Sequence, residues 1–186
     1  LFLKYDPKDV IIAIGGFLMG PWPGVAISVL VSLIEMLTTS ETGFIGFFMN
    51  VLGTCAFVVP AAWCYHRRRT IKSAAFGLAA GAIIMTIVML AWNYIVTPIY
   101  MGYPRAAVAE LLLPAFLPFN LLKGTLNAGI TMLIYKPVSQ ALRKAHFIPE
   151  TTTGTHPARR FNLTATLLSV FVVATAILCF WFLARG

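Results

Sequence analysis

The segment Gly20-Pro21-Trp22-Pro23-Gly24 (GPWPG) interrupts an apolar stretch that otherwise runs from Val10 to Leu37. How it turns sets the number of spans and the direction of every later one. Two prolines two residues apart, flanked by glycines, favour a tight reversal over a kink, because each proline removes a helix N–H and glycine supplies turn conformations. The reversal divides the stretch into two short helices, Val10–Gly20 and Val25–Leu37. A straight helix needs about 20 residues to cross a bilayer, so each is short, which is acceptable where protein rather than lipid surrounds it. Upstream, residues 1–9 (LFLKYDPKD) form a polar-flanked opening loop, with Pro7 and Asp9 placed to start a helix at N-cap positions.

Composition puts the rest of the chain in the same solvent. The protein is 59% hydrophobic and 11% charged, with a mean hydropathy of +0.85, whereas soluble domains carry about 25% charged residues. After the polar loop Thr38–Gly43 (TTSETG) come the spans Phe44–Tyr65, Ile71–Ile99 and Leu111–Tyr135. They are separated by His66-Arg67-Arg68-Arg69 and by a Pro/Gly/Tyr loop over 98–110 (PIYMGYPRAAVAE). The pattern predicts an all-α integral membrane protein, a polytopic helical bundle over residues 1–147. A basic stretch, Lys136–Lys144, closes that domain; a cytoplasmic linker follows over 148–160 and an additional transmembrane helix over 161–184.

Charge sets the orientation. Arg67, Arg68, Arg69, Lys72, Lys136, Arg143, Lys144, Arg159 and Arg160 fall on one side when the spans alternate, against Lys4, Lys8 and Arg105 on the other. The positive-inside rule assigns the first side to the cytoplasm. That assignment needs the reversal at GPWPG, since a single kinked helix would place the TTSETG loop inside. The net charge of +8 therefore reflects membrane topology, and no nucleic-acid partner is expected: the basic residues cluster in short loops between apolar spans. Cys55, Cys64 and Cys179 show no CxxC spacing and read as small packing residues. No Walker A, HExxH or GxSxG motif is present, so neither an enzymatic activity nor a metal site is expected.

With orientation assigned, the polar residues inside the spans share one depth. Glu35 lies near the outer end of its rising span, and Asn50 lies about 9 Å below the outer start of the next, at 1.5 Å per residue. Asn93 lies near the outer end of the 71–99 span. Asn120, Lys123 and Asn127 are spaced i, i+3, i+7 and share one face of the descending 111–135 span. A charge at the centre of a membrane helix costs roughly 2.5–3.5 kcal/mol on the lower of two scales. Four helices bearing polar groups towards one level describe a cup open to the outside. Single Asn and Lys residues near helix ends also snorkel or cap, but Lys123 needs a carboxylate, carbonyls or a ligand, and Glu35 is one candidate partner. Phe44, Phe47, Phe48, Trp92, Tyr94, Tyr100 and Tyr103 at this level serve either as an interfacial belt or as a stacking platform. Gly16-xxx-Gly20 and Gly77-xxx-Gly81 allow close helix approach, within the bundle or towards a partner.

The strings LKYDPKD, GPWPG, TTSETGFIGFFMN, the triple-Arg loop, WNYIVTPIY and LPFNLLKGTLNA, in this order over about residues 2–145, resemble the riboflavin-specific S components of energy-coupling factor (ECF) transporters. The resemblance implies a bundle that binds a vitamin near its outer face and seals it with the loop joining family helices 1 and 2. It also implies delivery to a transmembrane T protein and two cytoplasmic ATPase subunits. By the same resemblance the gating loop corresponds to Leu3, Lys4, Tyr5, Asp6 and Pro7. The flavin-contacting Asn corresponds to Asn93, and an N-x-x-K pair to Asn120 and Lys123, with Glu35, Asn50 and Tyr94 as further substrate-binding candidates. The chain begins at the gating loop, so family helix 1 is absent from it and the 161–184 span is extra. Riboflavin is then a transported substrate rather than a cofactor. Its pyrimidine edge alternates N–H donors with C=O acceptors, which a carboxamide matches with one of each. The alternatives are an S component for another vitamin or a flavin phosphate, and a membrane scaffold whose polar groups only join helices.

Overall fold

A computed structural model describes residues 5–38 and 43–144, and within them every regular element is helical. They are α1 (Lys8–Met19), α2 (Pro21–Thr38), α3 (Gly43–Arg68), α4 (Ile71–Met101), α5 (Arg105–Leu111), a single π turn (Leu112–Phe116) and α6 (Leu117–Lys144). The linker at 148–160 and the span at 161–184 lie outside the described residues. The reversal exists, but it is tighter than expected. It is confined to Gly20, with φ +109° and ψ 173°, a conformation that side-chain-bearing residues rarely adopt. Pro21 and Pro23 do not form a turn; they open α2. First-turn N–H groups have no partner within a helix, so two prolines there remove no hydrogen bond, and the ring presets φ. Gly24 N donates to Gly20 O across the corner, at 3.2 Å. The two arms then close on each other: a Cβ added at Gly24 would lie 3.3 Å from Gly16 Cα.

Although α1 has only 12 residues, it is the most enclosed helix. Val10, Ile12, Ala13, Ile14 and Phe17 are all buried, and α1 packs on α2, α3 and α6. Protein covers most of it, with Ile11 and Met19 turned outward, so a length unsuited to lipid carries little penalty. Among the described residues, four segments are long and apolar enough to cross a membrane: Pro21–Thr38, Gly43–Arg68, Ile71–Met101 and Arg105–Val138.

Both small-residue motifs are used inside the bundle. Gly16 faces Val58 and Ala62 of α3. On α4, Gly77 sits so close to α3 that an added Cβ would lie 2.9 Å from Ala61 O, and one at Gly81 would run into the Phe57 carbonyl. Gly124 brings α6 equally close to Ala82 of α4, with 2.8 Å between an added Cβ and the Ala82 Cβ. Phe57, Val58, Leu78 and Met85 fill the core between these backbones.

Where a 98–110 loop was expected, the chain is helical on both sides of residues 102–104. Pro98 falls in the last turn of α4, where it deletes a single N–H, and Gly102 (φ +68°) closes the helix with its N–H on Pro98 O at 3.1 Å. Helix resumes at Arg105, well before Leu111. It passes through the π turn at LLPAF, where Pro114 removes a donor and the Leu117 N–H reaches back to Leu112 O. The basic stretch beginning at Lys136 continues α6 as helix.

The antiparallel path gathers Tyr5–Lys8, the end of α2, the start of α3, the end of α4 and the start of α6 at one end of the bundle. Gly20–Pro23, the HRRR segment and Tyr135 lie at the other, where Tyr65 and Tyr135 share a hydroxyl contact and Phe17 stacks on Tyr65 at 4.7 Å.

Candidate ligand-binding site

At the end read as outer, the structure holds a buried carboxylate. Asp9, in the first turn of α1, is 1% exposed. The expected N-cap role fails: Pro7 is the capping residue and makes no side-chain cap bond. Asp9 points inward instead. Its Oδ1 accepts from Thr54 Oγ1 of α3 at 2.6 Å. Its Oδ2 accepts from Asn127 Nδ2 at 3.2 Å and lies 3.3 Å from Lys123 Nζ, both on α6. Two donors, an ammonium and the positive end of α1 meet the need for partners that a buried charge imposes. Asn127 completes the arrangement from its other side, its Oδ1 accepting from Tyr5 OH at 2.8 Å. The carboxamide thus offers its N–H group to the carboxylate and its oxygen to the phenol.

A second polar group sits beside the first. Lys8 Nζ pairs with Asp6 Oδ2 at 3.0 Å and with the Glu35 carboxylate, which also accepts from Asn50 Nδ2 at 2.9 Å. Asp6 Oδ1 in turn accepts the Lys8 backbone N–H at 2.9 Å. The suggested Lys123–Glu35 pairing is therefore replaced by Lys123–Asp9 and Lys8–Glu35. The reason is placement: Glu35 ends α2, the hairpin partner of α1, so it meets the residue that starts α1. Lys123 lies on α6, which reaches the opposite side of α1.

Asn93 (6% exposed) and Asn120 (3% exposed) are both buried, as an inward-facing role requires. Each folds back on its own helix. Asn93 Nδ2 donates to Met89 O at 2.7 Å, while its Oδ1 accepts from Thr97 Oγ1 at 3.1 Å. Asn120 Nδ2 donates to Phe116 O, the last carbonyl of the π turn, at 2.8 Å. Tyr94 is turned out of the bundle and exposed, as are Phe44, Phe48, Tyr100 and Tyr103, an arrangement that suits an interfacial belt. Of the opening segment, Tyr5, Asp6 and Pro7 are placed over the cluster; Leu3 and Lys4 lie outside the described residues.

The opening segment is electrostatically tied to what it covers. Burial, and then the negative charges of Asp9 and Asp6, push the Tyr5 hydroxyl up to about 12, so it stays a hydrogen-bond donor. Burial alone would raise Asp6, but the backbone N–H and ammonium of Lys8 outweigh it and hold the carboxyl below its ordinary value. The residue that sequence reading missed is Asp9, the centre of the first cluster. Its signal was available, since Asp9, Ile12, Ala13, Gly16 and Phe17 recur at i, i+3, i+4, i+7, i+8 and all are buried.

Comparison with known proteins gives this arrangement its context. Residues 1–135 match the family described as the ECF transporter, substrate-specific component. The chain is 27% identical over 157 residues to the riboflavin transporter FmnP of Bacillus subtilis (strain 168), covering 78% of this chain and 83% of that protein. It is 29% identical over 149 residues to the riboflavin transporter RibU of Staphylococcus aureus (strain TCH60), covering 77% and 78%. A solved S component of a bacterial ECF transporter superposes with a TM-score of 0.63 at 28% identity, covering 77% of this chain and 84% of the other. The family match covers every residue of the two clusters, from Tyr5 to Asn127. This chain belongs to the substrate-specific components of ECF transporters, multi-pass proteins of the bacterial cell membrane that bind a substrate and are not enzymes.

Proposed function

We propose that the chain captures riboflavin at the outer end of the bundle and delivers it to a T protein and two ATPase subunits. One observation carries the reading. Two buried carboxamides (Asn93 and Asn120) and a half-buried lysine (Lys123) lie on the adjoining helices α4 and α6, at the end covered by Tyr5–Pro7, in a chain whose relatives are riboflavin transporters. Each of these groups bonds or pairs with protein atoms. A flavin edge offers donors and acceptors that match the two carboxamides, and the Lys123 ammonium, with three donors, can reach it while keeping its pairing with Asp9. Among the described residues the two clusters hold Asp6, Asp9 and Glu35 against Lys8 and Lys123, an environment with no surplus positive charge for a phosphate. Leu3 and Lys4 extend the proposed gate, while Glu35 and Asn50 anchor it through Lys8. Tyr94, which faces outward, contacts lipid.

The test is quenching of riboflavin fluorescence by the purified protein. Asn120→Ala and Lys123→Ala each remove a bond of about 1–3 kcal/mol, which weakens the dissociation constant by roughly fivefold to over a hundredfold. An unchanged constant in both variants refutes the site. Co-purification with a T protein and its ATPases tests delivery separately.

A further inference from the structure

The opposite end of the bundle carries a cavity that flavin capture does not use. It has a volume of about 430 Å³ and is lined by Met19, Pro21, Trp22, Trp63, His66 and Arg67 among others. The corner at Gly20 forms one wall, with the His66 ring 3.8 Å from where a Cβ of Gly20 would lie. The α3 terminus forms the other. Trp22 is 78% exposed and Trp63 48% exposed, so two indoles border the cavity where apolar helix gives way to the basic segment. Arg67 is held at the rim by its guanidinium, 5.1 Å from the centre of the Trp63 ring.

Among the described residues, charge at this end is uncompensated: Asp6, Asp9, Glu35 and Glu110 all belong to the opposite end of the bundle. Among the described residues no carboxylate pairs with Arg67, Arg68, Arg69 or Lys72, since the ion pairs there all lie in the outer clusters. A concave site with prolyl, methionyl and indole walls, open beside an unpaired arginine at the level where headgroups meet water, matches one ligand chemistry. It suits a phosphodiester anion attached to acyl chains. We infer that this cavity binds the headgroup of an anionic phospholipid, with Arg67 on its phosphate and Trp22 and Trp63 against its glycerol and upper chains. The inference is independent of the flavin reading.

The experiment is native mass spectrometry of the full chain in neutral detergent, with dioleoyl phosphatidylglycerol, dioleoyl phosphatidylcholine or glycerol phosphate added. Phosphatidylglycerol is retained in preference to phosphatidylcholine. Arg67→Gln weakens that retention about fivefold, the effect of one basic residue at an anionic surface, whereas Arg67→Lys, which keeps the charge but not the stacked guanidinium, loses less. Size-exclusion elution and thermal unfolding are the same in all three proteins and show that the exposed substitutions leave the fold intact. Equal retention of the two lipids, or retention indifferent to Arg67→Gln, overturns the assignment. So does glycerol phosphate binding as well as the lipid, which makes the ligand a soluble anion, and so does a cavity that takes up neither because another polypeptide segment fills it.

Discussion

Replacing Asp9 by Asn preserves shape and removes charge, so it isolates what the buried carboxylate does. The Oδ1 acceptor for Thr54 survives at its 2.6 Å contact. On the other side, an N–H group now faces Asn127 Nδ2 and the Lys123 ammonium, which had stood 3.2 Å and 3.3 Å from Oδ2. Two donors confront a third, and Lys123 is left without its carboxylate. The direct attraction at this separation is about 5 kcal/mol at an effective dielectric of 20. Stranding one member of a buried pair typically costs about 3–5 kcal/mol. Asp9→Asn is therefore expected to consume a large part of the folding stability of a typical domain, about 5–15 kcal/mol. The assay is thermal unfolding of purified protein, followed by size-exclusion chromatography, for wild type, Asp9→Asn, Lys123→Met and the double variant. Because the double variant strands no charge, it recovers most of the loss, with a coupling of at least about 2 kcal/mol between the two sites. Additive effects, or an Asp9→Asn protein as stable as wild type, would refute the claim that this pair holds α1 to α6.

Gly81→Ala drives a methyl group into the Phe57 carbonyl and forces α3 from α4; loss of the monodisperse folded peak is expected, whereas Gly102→Ala, with open space around it and φ +68°, keeps the peak at a cost of about 1 kcal/mol. Tyr5→Phe removes the donor to Asn127 Oδ1 and frees the opening segment, which limited proteolysis between residues 1 and 8 detects as faster cleavage. The same contact carries a pH signature. The Tyr5 hydroxyl is raised from 10.0 to about 12, so its contribution is complete below pH 10 and is lost as pH rises through about 12. Cleavage of wild type therefore approaches the Tyr5→Phe rate only in strong alkali, and a rise already complete by pH 9 contradicts the assignment.

Much of the fold is legible in the chain because hydrocarbon imposes a one-dimensional rule: apolar runs become helices, and basic loops mark a side. A reversal at the GPWPG segment, the small residues along α4 and the gathering of Glu35, Asn50, Asn93, Asn120 and Lys123 towards one end of the bundle all follow from spacing and turn residues. Boundaries were less legible where proline occurs near a helix end. Pro21, Pro23 and Pro98 signal a break in sequence but occupy first or last turns, where a missing N–H costs little.

What the sequence could not settle is which polar group meets which. Depth comes from counting residues, but partnership depends on the rotation of each helix about its axis and on which helices adjoin. Those are products of packing by Gly16 on Gly24, Gly77 and Gly81 on α3, and Gly124 on Ala82. Glu35 and Asp9 are both carboxylates near the same level, and spacing offers Glu35 only as one candidate partner of Lys123. Only the placement of α1 between α2 and α6 gives Glu35 to Lys8 and Asp9 to Lys123. The sequence by itself determined a membrane bundle with a polar outer layer, because transfer into lipid acts on each residue separately. The tertiary structure decided the pairing within that layer, because an ion pair requires two particular atoms to meet.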